Sequence, residues 1–231
     1  FLICVLDQLT KSCRQRLSDT QHATYTKAAQ EIRRSIDRHA WDGDWYLRAF
    51  FDDGTPVGSS RSKNCQIDSL SQSWAVLANG DKPRSKHAFL ECINRLVDDE
   101  TGLIHLFDPP FDRSIPDPGY INAYVPGIRE NGGQYTHAAI WLVQAAAALG
   151  EVDLAMKLFN YLNPLQRTAS PQGADAYRLE PYVMAADIYS NPQHPGRGGW
   201  SWYTGAAGWM YRTAIETILG IEIRGRTITC K

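Results

Sequence analysis

Apolar residues in this chain return every three or four positions over most of its length, and almost nowhere every second position. Tyr25, Ala28, Ala29, Ile32 and Ile36 show the rule, with charged residues between them. Side chains at that spacing share one side of a helix and need a surface to bury against, so the segment predicts an amphipathic helix. The same spacing predicts helices over residues 2–16, 67–79, 84–98, 134–149, 151–162, 177–189 and 204–219, with Gly150 and Gly220 as stops. Strand signals are short and few, over 45–51 and 103–107, each beside an Asp/Gly or Asp/Pro turn. A parallel α/β sheet requires regularly alternating apolar strands, and these are missing. The pattern implies an all-α toroid of paired helices carrying short β-hairpins.

At 231 residues and 43% hydrophobic, the chain can bury a substantial core as one large domain spanning 1–231. Its formal net charge is −1, so it has no basic field to favour nucleic acid or an anionic membrane. Cys4, Cys13, Cys65, Cys92 and Cys230 are odd in number and scattered, with no CxxC pair. That usage implies neither a disulfide framework nor a zinc site, and suits a reducing compartment. No apolar run approaches the roughly 18 residues of a membrane span. The opening "FLICVLDQL" begins inside an apolar run and the closing "IEIRGRTITCK" reads as a strand, so the chain is expected to be a piece of a longer protein.

Two long polar connections, 108–133 and 190–203, hold most of the unusual residues. Loops on a rigid scaffold are where binding residues concentrate. The stretch "YVPGIRENGGQYTHAAIW", residues 124–141, sets Arg129, Glu130, Asn131, Gly132, Gly133, Tyr135 and His137 just before an apolar helix. Unpaired N–H groups and the helix dipole make such an entry attractive to anions. Arg129 adds a planar fork for oxyanions or sugar hydroxyls. Equally, Glu130 and Asn131 could cap the helix, with His137 a satisfied buried histidine.

The stretch "GRGGWSWYTGAAGWMY", residues 196–211, offers Thr204 as N-cap of the last helix and a Thr-Gly start at Gly205 as a second anion cradle. Trp200, Trp202 and Tyr203 supply flat faces on which sugar rings stack, or ordinary core filling. In "AWDGDWYLRAFFDDG", residues 40–54, the carboxylates Asp42, Asp44, Asp52 and Asp53 suggest a glycosidase pair. Their neighbouring glycines favour structural turns instead. Asp68 and Gln72 share one face of a helix start, as site lining or as capping.

Taken together, "WDGDWYLRAFFDDGTPVGS", "IDSLSQSWAVL", "PPFDRSIPDPGYINAYVPGIRENGGQYTHAAIW", "EPYVMAADIY" and "GRGGWSWYTGAAGWMYR" resemble, in that order, glycoside hydrolase family 94, the inverting phosphorylases. Within it they are most similar to the phosphorylase-like domain of the cyclic β-1,2-glucan synthases. The resemblance implies an (α/α)6 barrel, here incomplete, and cleavage of a β-glucosidic bond by inorganic phosphate or the reverse reaction from a sugar 1-phosphate. It implies no cofactor beyond phosphate as co-substrate, no metal, and as partners a β-glucan oligosaccharide and the rest of the parent polypeptide. By the same resemblance His137, Thr204 and Gly205 stand at phosphate-binding positions, and Tyr120, Tyr124, Arg129 and Glu130 at sugar-binding ones. The parent is expected on the cytoplasmic side, anchored in a bacterial inner membrane.

Arg129 stands where the cellobiose-cleaving members carry a lysine. Two positions depart from those members: Tyr120 stands where they have a glutamate, and the Met184–Asp187 run "MAAD" lacks a glutamine found in them. By the resemblance, these two differences argue against cellobiose and suit the β-1,2-glucan branch. The family's general acid lies in an Asp-Trp-Asn-Asp motif, a string that does not occur in this chain, and is expected upstream of Phe1. Proton donation to the leaving oxygen typically contributes on the order of 10²–10⁴ in rate. The chain alone is therefore expected to be inactive, with a silent carbohydrate-binding piece and an inverting hydrolase as the rival readings.

Overall fold

The computed structural model describes residues 1–80, 82–202 and 205–230 of the chain. Its first helices are α1 (Leu2–Ser12), α2 (Asp19–His39), α3 (Ser69–Leu77) and α4 (Lys82–Leu96). They are followed by α5 (Thr136–Ala148), α6 (Val152–Leu162), α7 (Pro164–Arg167), α8 (Pro171–Tyr177) and α9 (Ala206–Arg212). Local chemistry sets their starts. Ser18 and Gln21 form a reciprocal capping box at the head of α2. The Asp68 carboxylate accepts the Leu70 N–H at 2.8 Å and caps α3. Asn163 and Ser170 cap α7 and α8, each followed by a proline whose missing N–H costs nothing at that position.

The longer helices pack in sequential pairs, α1 with α2, α3 with α4 and α5 with α6, and α5 also lies against α3 and α9. Helix α5 is the centre of the core. Ala138, Ala139, Ile140, Leu142, Val143, Ala145 and Ala146 are buried around much of its circumference, and the alanines let neighbouring helices approach closely. Phe89, Cys92 and Leu96 from α4, and Leu158 and Leu162 from α6, join all of these but Ala138, which packs with Phe107 and Phe111 in a second cluster. After α9 the chain continues as a π-helical turn, Thr213–Ile218. The Gln144 side-chain amide donates to the Thr213 hydroxyl at 2.8 Å and ties that turn to α5.

Every strand pairing among the described residues is antiparallel and two-stranded. Four pairs contain two residues per strand; only Ile221–Arg224 with Thr227–Cys230 is longer. The all-α class expected from spacing is therefore the class observed. No described helix is long and apolar enough to cross a membrane.

Several boundaries move. The helix expected over 177–189 is absent: α8 ends at Arg178, which adopts left-handed φ 58, and the chain then runs irregularly to the strand Asp187–Ile188. Pro181 lacks an N–H to donate, and Glu180, the residue before it, is disfavoured from helical geometry. The first helix stops at Ser12, with a separate 3₁₀ turn at Arg14–Arg16. The strand signal over 45–51 reduces to Ala49–Phe50 plus an isolated Trp41–Tyr46 bridge. The N-cap position of the last helix falls on Gly205, while Thr204 lies outside the described residues.

Candidate functional site

The two polar connections meet. Strand Gln134–Tyr135, at the mouth of α5, pairs with Asp187–Ile188, placing Tyr135 opposite Asp187. Beyond the strands, the Ser190 N–H donates to Gly127 O at 2.9 Å and the Asn191 amide to Pro126 O at 2.8 Å. Gly127, at φ 82, fits because a Cβ there would stand 2.6 Å from Asn191 N.

Asp187 is the joint. Its side chain, in a residue 1% exposed, accepts the Arg129 N–H at 3.2 Å on one oxygen and the Trp200 N–H at 3.3 Å on the other. Burial pushes this carboxyl above its ordinary value, opposed in turn by the Trp200 N–H and the Arg129 charge. Gly199 is required beside it, since a Cβ there would lie 2.1 Å from Asp187 Oδ1. Arg129 sits in left-handed φ 51, and its guanidinium carbon lies 4.0 Å from the Trp200 ring centre and 5.5 Å from that of Tyr124. The result is a cation held between two aromatic faces.

Next to that platform the Glu130 Oε2 is buried without a hydrogen-bond partner among the described residues. Burial first, then the charge of the nearby Glu130 carboxylate, push the Tyr135 hydroxyl up to about 12. His137 packs edge-on between Tyr135 and Trp141, with ring centres at 4.8 and 4.9 Å. Burial lowers its pKa, against a smaller opposing pull from Glu130. Trp141 in turn contacts Trp209 of α9 at 5.5 Å, so the start of the last helix is packed against the His137 helix.

Of the residues singled out from sequence, Tyr124, Arg129, Glu130 and His137 thus cluster around one loop junction. Tyr120 is 67% exposed and reaches the cluster only through its ring, 6.3 Å from Tyr124. Neither Glu130 nor Asn131 caps α5, whose N-cap position is Tyr135. Asn131 instead laces the connection, bonding the Phe111 backbone on both sides and Tyr124 O. Asp42 is saturated by Ser59 and Ser60, and Asp44 faces His87, so both serve structural turns. Gln72 clamps the backbone of Tyr46 at 2.9 and 3.0 Å and is structural too. Asp187 and Gly199 were not among the expected site residues. The available signal was a lone aspartate between alanine and isoleucine in "MAADIY".

A half-buried imidazole whose protonation burial disfavours makes stability depend on pH. Because the folded pKa of His137 is lowered, its contribution is complete above the unfolded value near 6.5 and is lost as pH falls through and below it. Urea midpoints are expected to drop more between pH 7.5 and 5.5 in the wild type than in His137→Gln. Equal drops would show that His137 remains free to protonate in the fold.

The profile of the glycosyl hydrolase 94 superfamily catalytic domain matches residues 1–220. Cyclic β-(1,2)-glucan synthase NdvB of Rhizobium meliloti (strain 1021) is 46% identical over 226 residues, covering 97% of this chain and 8% of that protein. Solabiose phosphorylase of Paenibacillus borealis is 31% identical over 194 residues, 83% of this chain and 25% of its own. N,N'-diacetylchitobiose phosphorylase of Vibrio proteolyticus is 29% identical over 203 residues, 86% of this chain and 25% of its own. The chain thus spans a quarter or less of the length of these relatives.

Proposed function

The chain belongs to the glycosyl hydrolase 94 superfamily, and on that premise we propose that it is the part of a catalytic domain that holds sugar and phosphate during phosphorolysis or synthesis of β-glucans, β-1,2-linked ones above all. Its sequential helix pairs are three hairpins of an (α/α)6 barrel that other segments of the parent complete. The observation that carries the reading is the unpartnered Glu130 oxygen beside the Arg129–Trp200 stack. A buried carboxylate oxygen without a donor is costly, and a sugar hydroxyl supplies the donor while the aromatic face takes the ring. The 46% identity to a cyclic β-(1,2)-glucan synthase supports the linkage.

In the proposed reaction a phosphate oxygen attacks the anomeric carbon from the face opposite the leaving group. The glycosidic C–O bond breaks with inversion, and a proton from a general acid goes to the departing oxygen. His137, whose protonation burial disfavours, donates to phosphate through a ring N–H, with Gly205 at the N-cap position of α9 as a further donor and Thr204 assigned the same role by the family resemblance alone. The general acid comes from another segment of the parent. Within this chain Asp42, Asp68 and Asp187 are already committed to serines, to Arg48 and to backbone N–H groups. With no Asp-Trp-Asn-Asp string in its sequence, the chain by itself is expected on this reading to be inactive.

The test is sugar 1-phosphate release by the full-length parent from β-1,2-glucan oligosaccharides, at varied phosphate. His137→Ala is expected to raise the half-saturating phosphate by about tenfold or more, the loss of one hydrogen bond to a charged group, with glucan KM little changed. Arg129→Ala is expected to raise the glucan KM instead. Reducing-sugar release that ignores phosphate would replace this reading with a hydrolase.

A further inference from the structure

Adjacent strand residues face opposite sides, and Gln134 looks away from the Tyr135–His137 side into a different part of the molecule. There α7, the Gly102 turn and the Pro195–Gly196 corner line an open pocket of about 350 Å³, lined also by Asn160, Tyr161 and Gln166. That volume is at the small end of the range for ligand sites. Arg167, the last residue of α7, forms part of its wall.

Arg167 is half-buried, with its Nε fully buried, and it lacks what an arginine so placed normally has. Its Nη2 donates to Gly102 O and, at 3.3 Å, to Gln134 Oε1, both neutral acceptors. Among the described residues its Nε is buried with no partner, and no hydrogen bond engages Nη1. No carboxylate reaches the guanidinium among the described residues. Burial pulls its pKa down to about 10, opposed by Tyr177. Arg48 shows the contrast: it is also half-buried, but Asp68 sits against it and its pKa rises. Withdrawing a guanidinium from water costs several kcal/mol, which neutral carbonyls offset poorly and an anion offsets well.

We propose that the cavity at Arg167 is a second ligand site, separate from the Arg129–His137 cluster, that takes a small-molecule oxyanion, phosphoryl or carboxylate. The anion meets the guanidinium at Nη1, and the Asn160 and Gln166 amides and the Tyr161 ring contact the body that carries it. This inference does not depend on the reaction proposed above.

Its test is equilibrium binding of radiolabelled inorganic phosphate, and in parallel labelled acetate, to the full-length parent. The variants are Arg167→Gln, Ala176→Phe and His137→Ala. Ala176 is an exposed residue of the cavity wall, so phenylalanine there blocks the cavity while leaving the bonds of Arg167 intact. Arg167→Gln and Ala176→Phe are each expected to weaken one class of bound anion by about tenfold or more, the loss of a charge-assisted hydrogen bond. His137→Ala leaves that class in place. Retention of acetate against excess phosphate assigns the site to carboxylates, and the reverse assigns it to phosphoryl groups. If Ala176→Phe binds both anions as the wild type does, the proposal is overturned, whether or not Arg167→Gln folds. If only His137→Ala alters phosphate binding, the cavity is empty of function and the cluster reading stands alone.

Discussion

Asp187→Ala is expected to lower the melting temperature by roughly 5–15 °C and to disconnect the two loops that form the candidate site. The estimate follows from what the carboxylate does. It accepts the backbone N–H groups of Arg129 and Trp200, which come from two segments with no shared secondary structure. Leaving a buried donor unsatisfied costs about 1–3 kcal/mol, and two such groups are released. Relief of the carboxylate's own burial, visible in its raised pKa, offsets part of that. A net loss of about 2–4 kcal/mol corresponds to the stated shift for a domain of this size. Asp187→Asn keeps an acceptor for one N–H and presents an amide to the other, so it should fall between.

Gly199→Ala attacks the same joint by overfilling it, because the added methyl would meet Asp187 Oδ1 at 2.1 Å. Both variants should also loosen the Arg129–Trp200 stack, and full-length protein should show a raised glucan KM. Thermal unfolding followed by circular dichroism decides the matter. An alanine variant melting within about 2 °C of wild type would mean that water replaces the carboxylate at little cost.

This joint explains what was legible in the sequence. Helix α5 was readable because Ala138, Trp141, Leu142 and Ala145 repeat at helical spacing, and the polar cluster ahead of it marked the loop correctly. The junction itself was not readable, since a strand of two residues is too short to show any alternation. Tyr177, Met184, Ala185 and Ile188 mimic a helical stripe, yet each is placed by contacts distant in sequence. Tyr177, for instance, accepts the Gly198 N–H on its own carbonyl at 2.9 Å and packs in one cluster with Leu103. Gly199 is necessary only because Asp187 lies against it, a fact with no local signature. Arg167 was missed for a similar reason: its lack of a carboxylate partner appears only once the chain is folded.

The buried pair Arg48–Asp68 is where the largest single loss of stability is expected. Asp68 is 0% exposed; one oxygen caps α3 through Leu70 N–H and the other meets the Arg48 guanidinium. Removing one partner of a buried ion pair typically costs about 3–5 kcal/mol, and an N-cap is worth about 1 kcal/mol. Asp68→Ala loses both, so its melting temperature should fall by roughly 10–15 °C. Asp68→Asn retains a capping oxygen and should recover about the cap's share. Arg48→Ala removes only the ion pair but strands a buried carboxylate, and should cost nearly as much as Asp68→Ala. The decisive variant carries Arg48→Met and Asp68→Leu together. Two apolar side chains leave no uncompensated charge, so the double variant should be more stable than either alanine variant, short mainly of the lost cap. A double variant as unstable as the sum of the single ones would show that the pair acts through its hydrogen bonds to α3 and not through its charges. The outcome bears on the site, because α3 carries Trp74, whose ring lies 5.1 Å from Trp141, the residue that packs on His137. A frayed α3 start should therefore reach the imidazole, seen as a shift of its proton resonances in the Asp68→Ala protein.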